Sequence, residues 1–210
     1  MKVAPVRQAL EFGERPDPSK GIFETILTAD GRARMLSAHY GRLTASALAL
    51  YGVDLGPELA LHQLGFSRAP GRLRVSHVPG RPLAFDAGPW PTDPAYGELA
   101  PFVLTGGLGA HKWLDRGLVE GITQAAGEGG LPLLLDDDGT VLEATWANVL
   151  IEERGRLISP PDAGRALPGI GRGRLRYVEE PVDLDRLLAA DAVVLTSALR
   201  VLRLPLRTPA

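Results

Sequence analysis

Three features of the sequence predict an α+β fold divided into two domains. Short apolar segments separated by Asp-Gly and Arg-Gly pairs mark strands and hairpins in both halves of the chain. Runs with apolar residues at spacings of three and four mark a small number of helices. Between the halves, Pro79 to Pro101 holds six prolines with no sustained periodicity and reads as loop and edge strand leading to a linker. The boundary falls between about Ala100 and Gly109, which gives an N-terminal domain over residues 1–105 and a C-terminal domain over 106–210.

The N-terminal domain starts with an irregular lead-in over residues 1–20, rich in proline and charge. GIFETILTADGRARMLS then predicts a hairpin turning at Ala29-Asp30-Gly31. Ser37 is placed to cap a helix that runs to about Tyr51 and stops at Gly52, with Leu43, Ala47 and Leu50 on one face. His39 and Arg42 are three residues apart in its first turns, so they are neighbours near the positive helix end. A shorter helix is predicted from Pro57 to about Gly65, and GRLRVSHV alternates as a strand.

The C-terminal domain opens on GGLGAHKWLDRGLVEGITQAA, residues 106–126, where Leu114, Leu118, Ile122 and Ala125 form a helical stripe. Lys112 stands at its start behind a glycine-rich approach that lets backbone come close to whatever the lysine holds. A meander of strands follows, turning at Asp138-Gly139 and Arg154-Gly155. LPGIGRGRL opens a helical segment, Asp183 to Ala190 a helix, and AVVLTS is a buried strand ending in two hydroxyls.

Composition narrows the chemistry. With 210 residues and 45% hydrophobic side chains the chain can bury one sizeable core or two small ones. It has no cysteine, so disulfides and cysteine nucleophiles are excluded, and its four histidines show no ligand-like pairing, so no metal is expected. A net charge of −2 with interspersed signs argues against nucleic acid. No apolar run has signal-peptide or membrane-spanning character, so no membrane partner and a cytoplasmic location are expected. Pro168-Gly169-Ile170-Gly171 can offer backbone amides to an anion, Glu143 can point a carboxylate into a site from a strand end, and Thr196 and Ser197 can face the same region.

In order, FETILT (23–28), HYGRL (39–43), HKWLDR (111–116), EATWAN (143–148) and LPGIGR (167–172) resemble the class IV aminotransferases over roughly residues 21–206. These are pyridoxal-phosphate (PLP) enzymes that include branched-chain and D-amino acid aminotransferases and 4-amino-4-deoxychorismate lyase. The resemblance implies the D-amino acid aminotransferase-like fold, with the cofactor between the domains, and a homodimer. It implies that Lys112 forms the Schiff base, that Glu143 pairs with the pyridine nitrogen, and that Asn148 braces the cofactor loop. Arg42 and the backbone of Ile170 and Gly171 would hold the phosphate, with Thr196 or Ser197 as hydroxyl donor. Thr25, Arg116 and Arg200 are the implied substrate-binding residues. Where relatives carry threonine this chain has Gly171, and Ala198 replaces a second hydroxyl, so phosphate binding is expected to fall on Arg42 and backbone. PDPSKGIFET also replaces the family's usual Asp-Arg-Gly and Gly-Asp-Gly elements. Within the class, SAHYGRL, KWLDR and the compact length resemble the lyase, which releases pyruvate and 4-aminobenzoate for folate synthesis. A transaminase of D-amino or branched-chain amino acids is the alternative, and a non-catalytic phospholigand binder the second.

Overall fold

A computed structural model describes residues 1–57 and 65–206. The chain forms two compact units, one of Met1–Arg15, Pro94–Ala110 and Arg116–Ala210, the other of Pro16–Asp93 and His111–Asp115. This division differs from a single cut after residue 105, because two short segments cross over. Residues 1–15 are not an irregular lead-in: β1 (Lys2–Val3) and β2 (Arg7–Gln8) pair in parallel with a strand of the larger unit. His111–Asp115 in turn is tied to the smaller unit, where the Phe23 amide donates to the Lys112 carbonyl (2.9 Å) and the Leu114 amide to the Gly21 carbonyl (2.9 Å).

In the smaller unit, β3 (Ile22–Ala29) turns through Asp30 and Gly31, both at positive φ, into β4 (Arg32–Ala33), the hairpin that the Asp-Gly pair predicts. Helix α1 (Leu36–Tyr51) ends on left-handed Gly52 as expected, but Met35, not Ser37, is its N-terminal cap residue and gives no side-chain cap bond. β5 (Gly71–His77) pairs with β3 and with β6 (Ala84–Pro89). Alternation sends Ile22, Ile26, Leu73 and Val75 against Leu36, Tyr40, Leu43 and Ala47 of α1. The helix expected from Pro57 to Gly65 lies, but for its ends, outside the described residues.

In the larger unit, β7 (Glu98–Val103) runs inside the sheet, parallel to β1, β2 and β8 (Gly130–Leu135), and is fully buried over Leu99–Phe102. The loop and edge strand expected over 79–101 is thus corrected only at its end: β6 is an edge strand of the smaller sheet, whereas β7 is a central one. Pro101 is accommodated although its nitrogen gives the ladder no hydrogen. Helix α2 (Gly117–Ala126) packs Leu118 and Ile122 with Phe102 and Leu134, and Leu114 lies outside it. A Cβ on Gly121 would stand 1.9 Å from the Phe12 carbonyl oxygen, so glycine is what lets the first segment lie against this helix.

The meander has four strands where the apolar segments predict three: β8, β9 (Val141–Ala144), β10 (Ala147–Glu153) and β11 (Arg156–Ser159), because Thr145-Trp146 breaks LEATWANVL into two. A short 3-10 helix over Ile170–Arg174 and β12 (Val178–Glu179) lead to α3 (Leu184–Ala189), which is capped by Asp183 accepting from the Arg186 amide (2.7 Å). β13 (Ala192–Thr196) and β14 (Val201–Pro205) complete the sheet beside β10. Leu131, Leu133, Val149, Ile151, Val193 and Leu195 share one core with Leu187. No described helix is long and apolar enough to cross a membrane.

His77 is buried at the end of β5 beside the Tyr51 ring (5.6 Å), and neither ring nitrogen has a hydrogen-bond partner among the described residues. Burial lowers its pKa below the ordinary imidazole value. The unfolded chain therefore takes up a proton at higher pH than the folded one. Stability then falls as pH drops through about 6.5, by at most ~1.4 kcal/mol per pH unit for one such group. Thermal unfolding followed from about pH 7.5 to 5 should show this decline, and His77→Leu should reduce it, with His111, also lowered by burial, leaving a residual slope. An identical slope in the variant would acquit His77.

Candidate active site

The larger unit gathers three of the sequence-predicted residues through strand register. Asn148 of β10 stands directly opposite Glu143 of β9 on one side and Thr196 of β13 on the other. Directly opposed residues in antiparallel strands share a face, so Glu143, Asn148 and Thr196 form one row across three strands. All three are buried, at 6%, 7% and 0% exposure, in a sheet whose neighbouring positions are aliphatic. Polar groups are retained in such a place only with partners or for a ligand.

The loop over residues 167–171 lies along this row. The Leu167 carbonyl accepts from Asn148 Nδ2 (2.9 Å), and the Leu167 amide donates to Glu143 Oε2 (3.4 Å). A Cβ on Gly169 would sit 1.5 Å from Asn148 Oδ1, so this glycine is the closest approach of loop to sheet. At Gly171 a Cβ would stand 2.4 Å from the Ser197 carbonyl oxygen and 2.8 Å from Thr196 Oγ1. Gly171 is therefore required by space, which accounts for glycine where the resemblance leads one to expect threonine. Thr196 Oγ1 is buried against it with no hydrogen-bond partner among the described residues.

The remaining candidates of this unit are engaged in structure. The Ser197 hydroxyl accepts from the Arg200 amide (3.3 Å), closing a turn, and Arg174 donates to the Ser197 carbonyl (2.7 Å). Arg116 donates to the Thr145 carbonyl (3.0 Å), and the Arg200 guanidinium lies 5.5 Å from the centre of the Trp146 ring, whose nitrogen donates to the Tyr96 hydroxyl.

In the smaller unit, Lys112 is half-buried with its Nζ 4.9 Å from the centre of the Phe23 ring. Arg42 makes a two-point contact with Glu24, Nε to Oε1 at 2.7 Å and Nη2 to Oε2 at 2.8 Å, while His39 Nδ1 meets the same carboxylate at 2.7 Å. Burial pushes the Glu24 carboxyl up, but the bonds from His39 and Arg42 outweigh it and hold it below the usual range. The helical spacing of His39 and Arg42 thus converges on a carboxylate of β3. Reading the sequence for an anion missed Glu24. Its signal was there: in IFETI it alternates with Ile22 and Ile26, a charge in a core-facing position.

Comparison with known proteins now bears on this arrangement. Residues 111–204 match the family model for amino-transferase class IV. A structure from Legionella pneumophila bearing the provisional name 4-amino-4-deoxychorismate lyase superposes with TM-score 0.72 at 21% identity, covering 97% of this chain and 90% of that one. The fold is that of the class IV aminotransferases. A hypothetical aminotransferase from Mycobacterium tuberculosis in its PLP-bound form has TM-score 0.70 at 23% identity, with 91% and 84% covered. The same description with alpha-ketoglutarate and PMP bound gives 0.66 at 24%, with 89% and 80% covered. No curated protein matches by sequence. The match to the class IV model spans Lys112 and the whole Glu143–Asn148–Thr196 row.

Two variants test this geometry. Gly171→Thr should fail to add a phosphate donor and instead destabilise the loop by ~1–3 kcal/mol, since the new side chain is driven onto backbone; unchanged thermal stability would show that the approach relaxes. Arg42→Ala should cost ~3–5 kcal/mol by leaving Glu24 buried without its cation. Adding Glu24→Gln to that variant should restore part of the loss, which denaturant unfolding of the single and double variants would read.

Proposed function

We propose that this chain is a PLP-dependent enzyme of the class IV type acting on an amino-acid substrate, and that its reaction is the 4-amino-4-deoxychorismate lyase reaction. The observation that supports it most is the buried Thr196 hydroxyl, without a partner among the described residues, lying where Gly171 leaves no room for a side chain. A buried hydroxyl left unsatisfied costs free energy unless a ligand completes it, and an acceptor of the phosphate kind fits a hydroxyl beside glycine-rich backbone.

In this reading Thr196 Oγ1 and the amides of Ile170 and Gly171 hold the phosphate, while the charge of Arg42, expected there from the sequence, is taken up by Glu24. Glu143, already buried and fixed by the Leu167 amide, accepts a hydrogen bond from the protonated ring nitrogen. Asn148 fixes the loop. Bound PLP supplies an electron sink for the charge that develops when the substrate α-proton leaves. Lys112 Nζ would hold the cofactor and, as a free amine, would carry that proton. Departure of the pyruvate unit is driven by aromatisation of the ring, leaving 4-aminobenzoate, so that substrate atoms are fully accounted for in the two products. The lyase name on the Legionella neighbour supports this choice. The alpha-ketoglutarate bound in the Mycobacterium tuberculosis neighbour favours the transaminase as second reading.

Purified protein incubated with PLP and reduced with borohydride should gain one cofactor mass on the peptide containing Lys112, and Lys112→Ala should gain none and lose all activity. Fixation on another lysine would sink the assignment. Turnover of 4-amino-4-deoxychorismate to 4-aminobenzoate, without a keto acid, selects the lyase; exchange between D-alanine and alpha-ketoglutarate selects the transaminase. Glu143→Gln should keep the cofactor but slow turnover by about ten- to a hundredfold, the loss of one charge-assisted hydrogen bond of roughly 1.5–3 kcal/mol. An unchanged rate would return Glu143 to a structural role.

A further inference from the structure

The turn over Ile170–Arg174 puts the two arginines of GIGRGR to different uses. Side chains three apart eclipse in a 3-10 helix, so Arg174 comes to the face of Gly171 while Arg172 leaves it. Arg172 is buried, donating to Ser159 Oγ (3.0 Å) and pairing with Asp162 (2.8 Å), and the fold absorbs its charge. Arg174 is exposed and follows Gly171 to the Ser197 turn. The Ser197 carbonyl oxygen is the atom that a Cβ on Gly171 would meet at 2.4 Å, and Arg174 Nη2 donates to that oxygen at 2.7 Å. This neutral carbonyl is the guanidinium's one acceptor among the described residues, and none of their carboxylates pairs with it. The residue before it, Thr196, carries the buried hydroxyl without a partner among the described residues. A cation without a counter-charge and a hydroxyl without a bond thus meet at one glycine.

We propose that Arg174 is the cation of the phosphate site in the larger unit, in the place that the sequence leads one to give Arg42. This rests on the reading of Thr196 and the Ile170 and Gly171 amides as phosphate ligands. A phosphate monoester carries about two negative charges at neutral pH. A hydroxyl and two amides offer it dipoles and no net charge. The fork of Arg42 is spent on Glu24, at 2.7 and 2.8 Å. Arg174 meets the requirement of charge and of position together, since it belongs to the same turn as the two amides and its stem already reaches the residue beside Thr196. When the loop moves from Thr196 to admit an anion, Nη2 exchanges a neutral carbonyl for a charged oxygen, which is the stronger bond. The rest of the fork then offers the anion a second donor.

The test is titration of the full chain with PLP and with pyridoxal, which lacks the phosphate, in wild type, Arg174→Gln and Arg174→Met. The ratio of the two affinities isolates the phosphate, because a merely structural loss weakens both compounds alike. The proposal expects wild type to favour PLP and each Arg174 variant to lose at least about tenfold of that preference, with pyridoxal affinity unchanged. A double variant, Arg42→Gln with Glu24→Gln, should keep the preference. Arg174 variants that favour PLP as strongly as wild type overturn the assignment of Arg174 and leave the phosphate reading standing. Equal weakening of PLP and pyridoxal overturns it too, as does a preference lost in the Arg42 and Glu24 double variant alone. A wild type that binds PLP no better than pyridoxal overturns the phosphate reading itself, and Arg174 with it. Because Arg174 is exposed and bonded to one carbonyl, circular dichroism and thermal unfolding of its variants should match wild type, and with two neutral replacements one folded variant suffices.

Discussion

The register that sets Glu143, Asn148 and Thr196 opposite one another is the constraint on which the candidate site depends. A slip of one residue in either strand pair would turn one end of the row to the other face, where Val149, Leu195 and Ala144 now fill a core. The aliphatic alternation of β10 and β13 therefore fixes the polar row indirectly: burying Val149, Ile151, Val193 and Leu195 on one side obliges Asn148 and Thr196 to face the other. The loop over 167–171 is then fitted to the row by two glycines, one against Asn148 and one against Thr196 and Ser197.

The smaller unit is organised by charge as much as by apolar packing. Glu24 occupies a position in β3 that alternation assigns to the core, and it is tolerated there because α1 delivers His39 and Arg42 to it. Helix and sheet are thereby locked at one relative rotation, since both partners must meet one carboxylate. On the opposite face the same strand presents Phe23 to two cations, of which Lys112 arrives on a segment far away in sequence. The chain thus places its candidate nucleophilic amine by backbone hydrogen bonds from Phe23 and to Gly21, not by the helix that follows it.

Much of this was legible in the sequence, and the exceptions have physical causes. The hairpin at Asp30-Gly31, the stop of α1 at Gly52 and the strands around Asp138-Gly139 and Arg154-Gly155 follow from local backbone chemistry, which a window of a few residues contains. β7 was not legible, because its prolines argue against a central strand and only its parallel neighbours show that the ladder tolerates them. β1 and β2 are two residues each and exist only through pairing with β7. Lys112, Glu143 and Asn148 were singled out by their motifs, and Thr196 by its place at the end of an apolar strand. That Gly171 is a spatial necessity and that Glu24 engages Arg42 are facts of tertiary contact, which no spacing along the chain encodes.

The central claim is that the Thr196 hydroxyl and the adjoining loop are built for a phosphate. A crystal structure of the protein soaked with PLP measures this most directly. The account predicts phosphate oxygens within hydrogen-bonding distance of Thr196 Oγ1 and of the Ile170 and Gly171 amides, with the loop shifted from Thr196 to admit them. A cofactor whose phosphate is bound elsewhere, leaving Thr196 Oγ1 as it is, would contradict it.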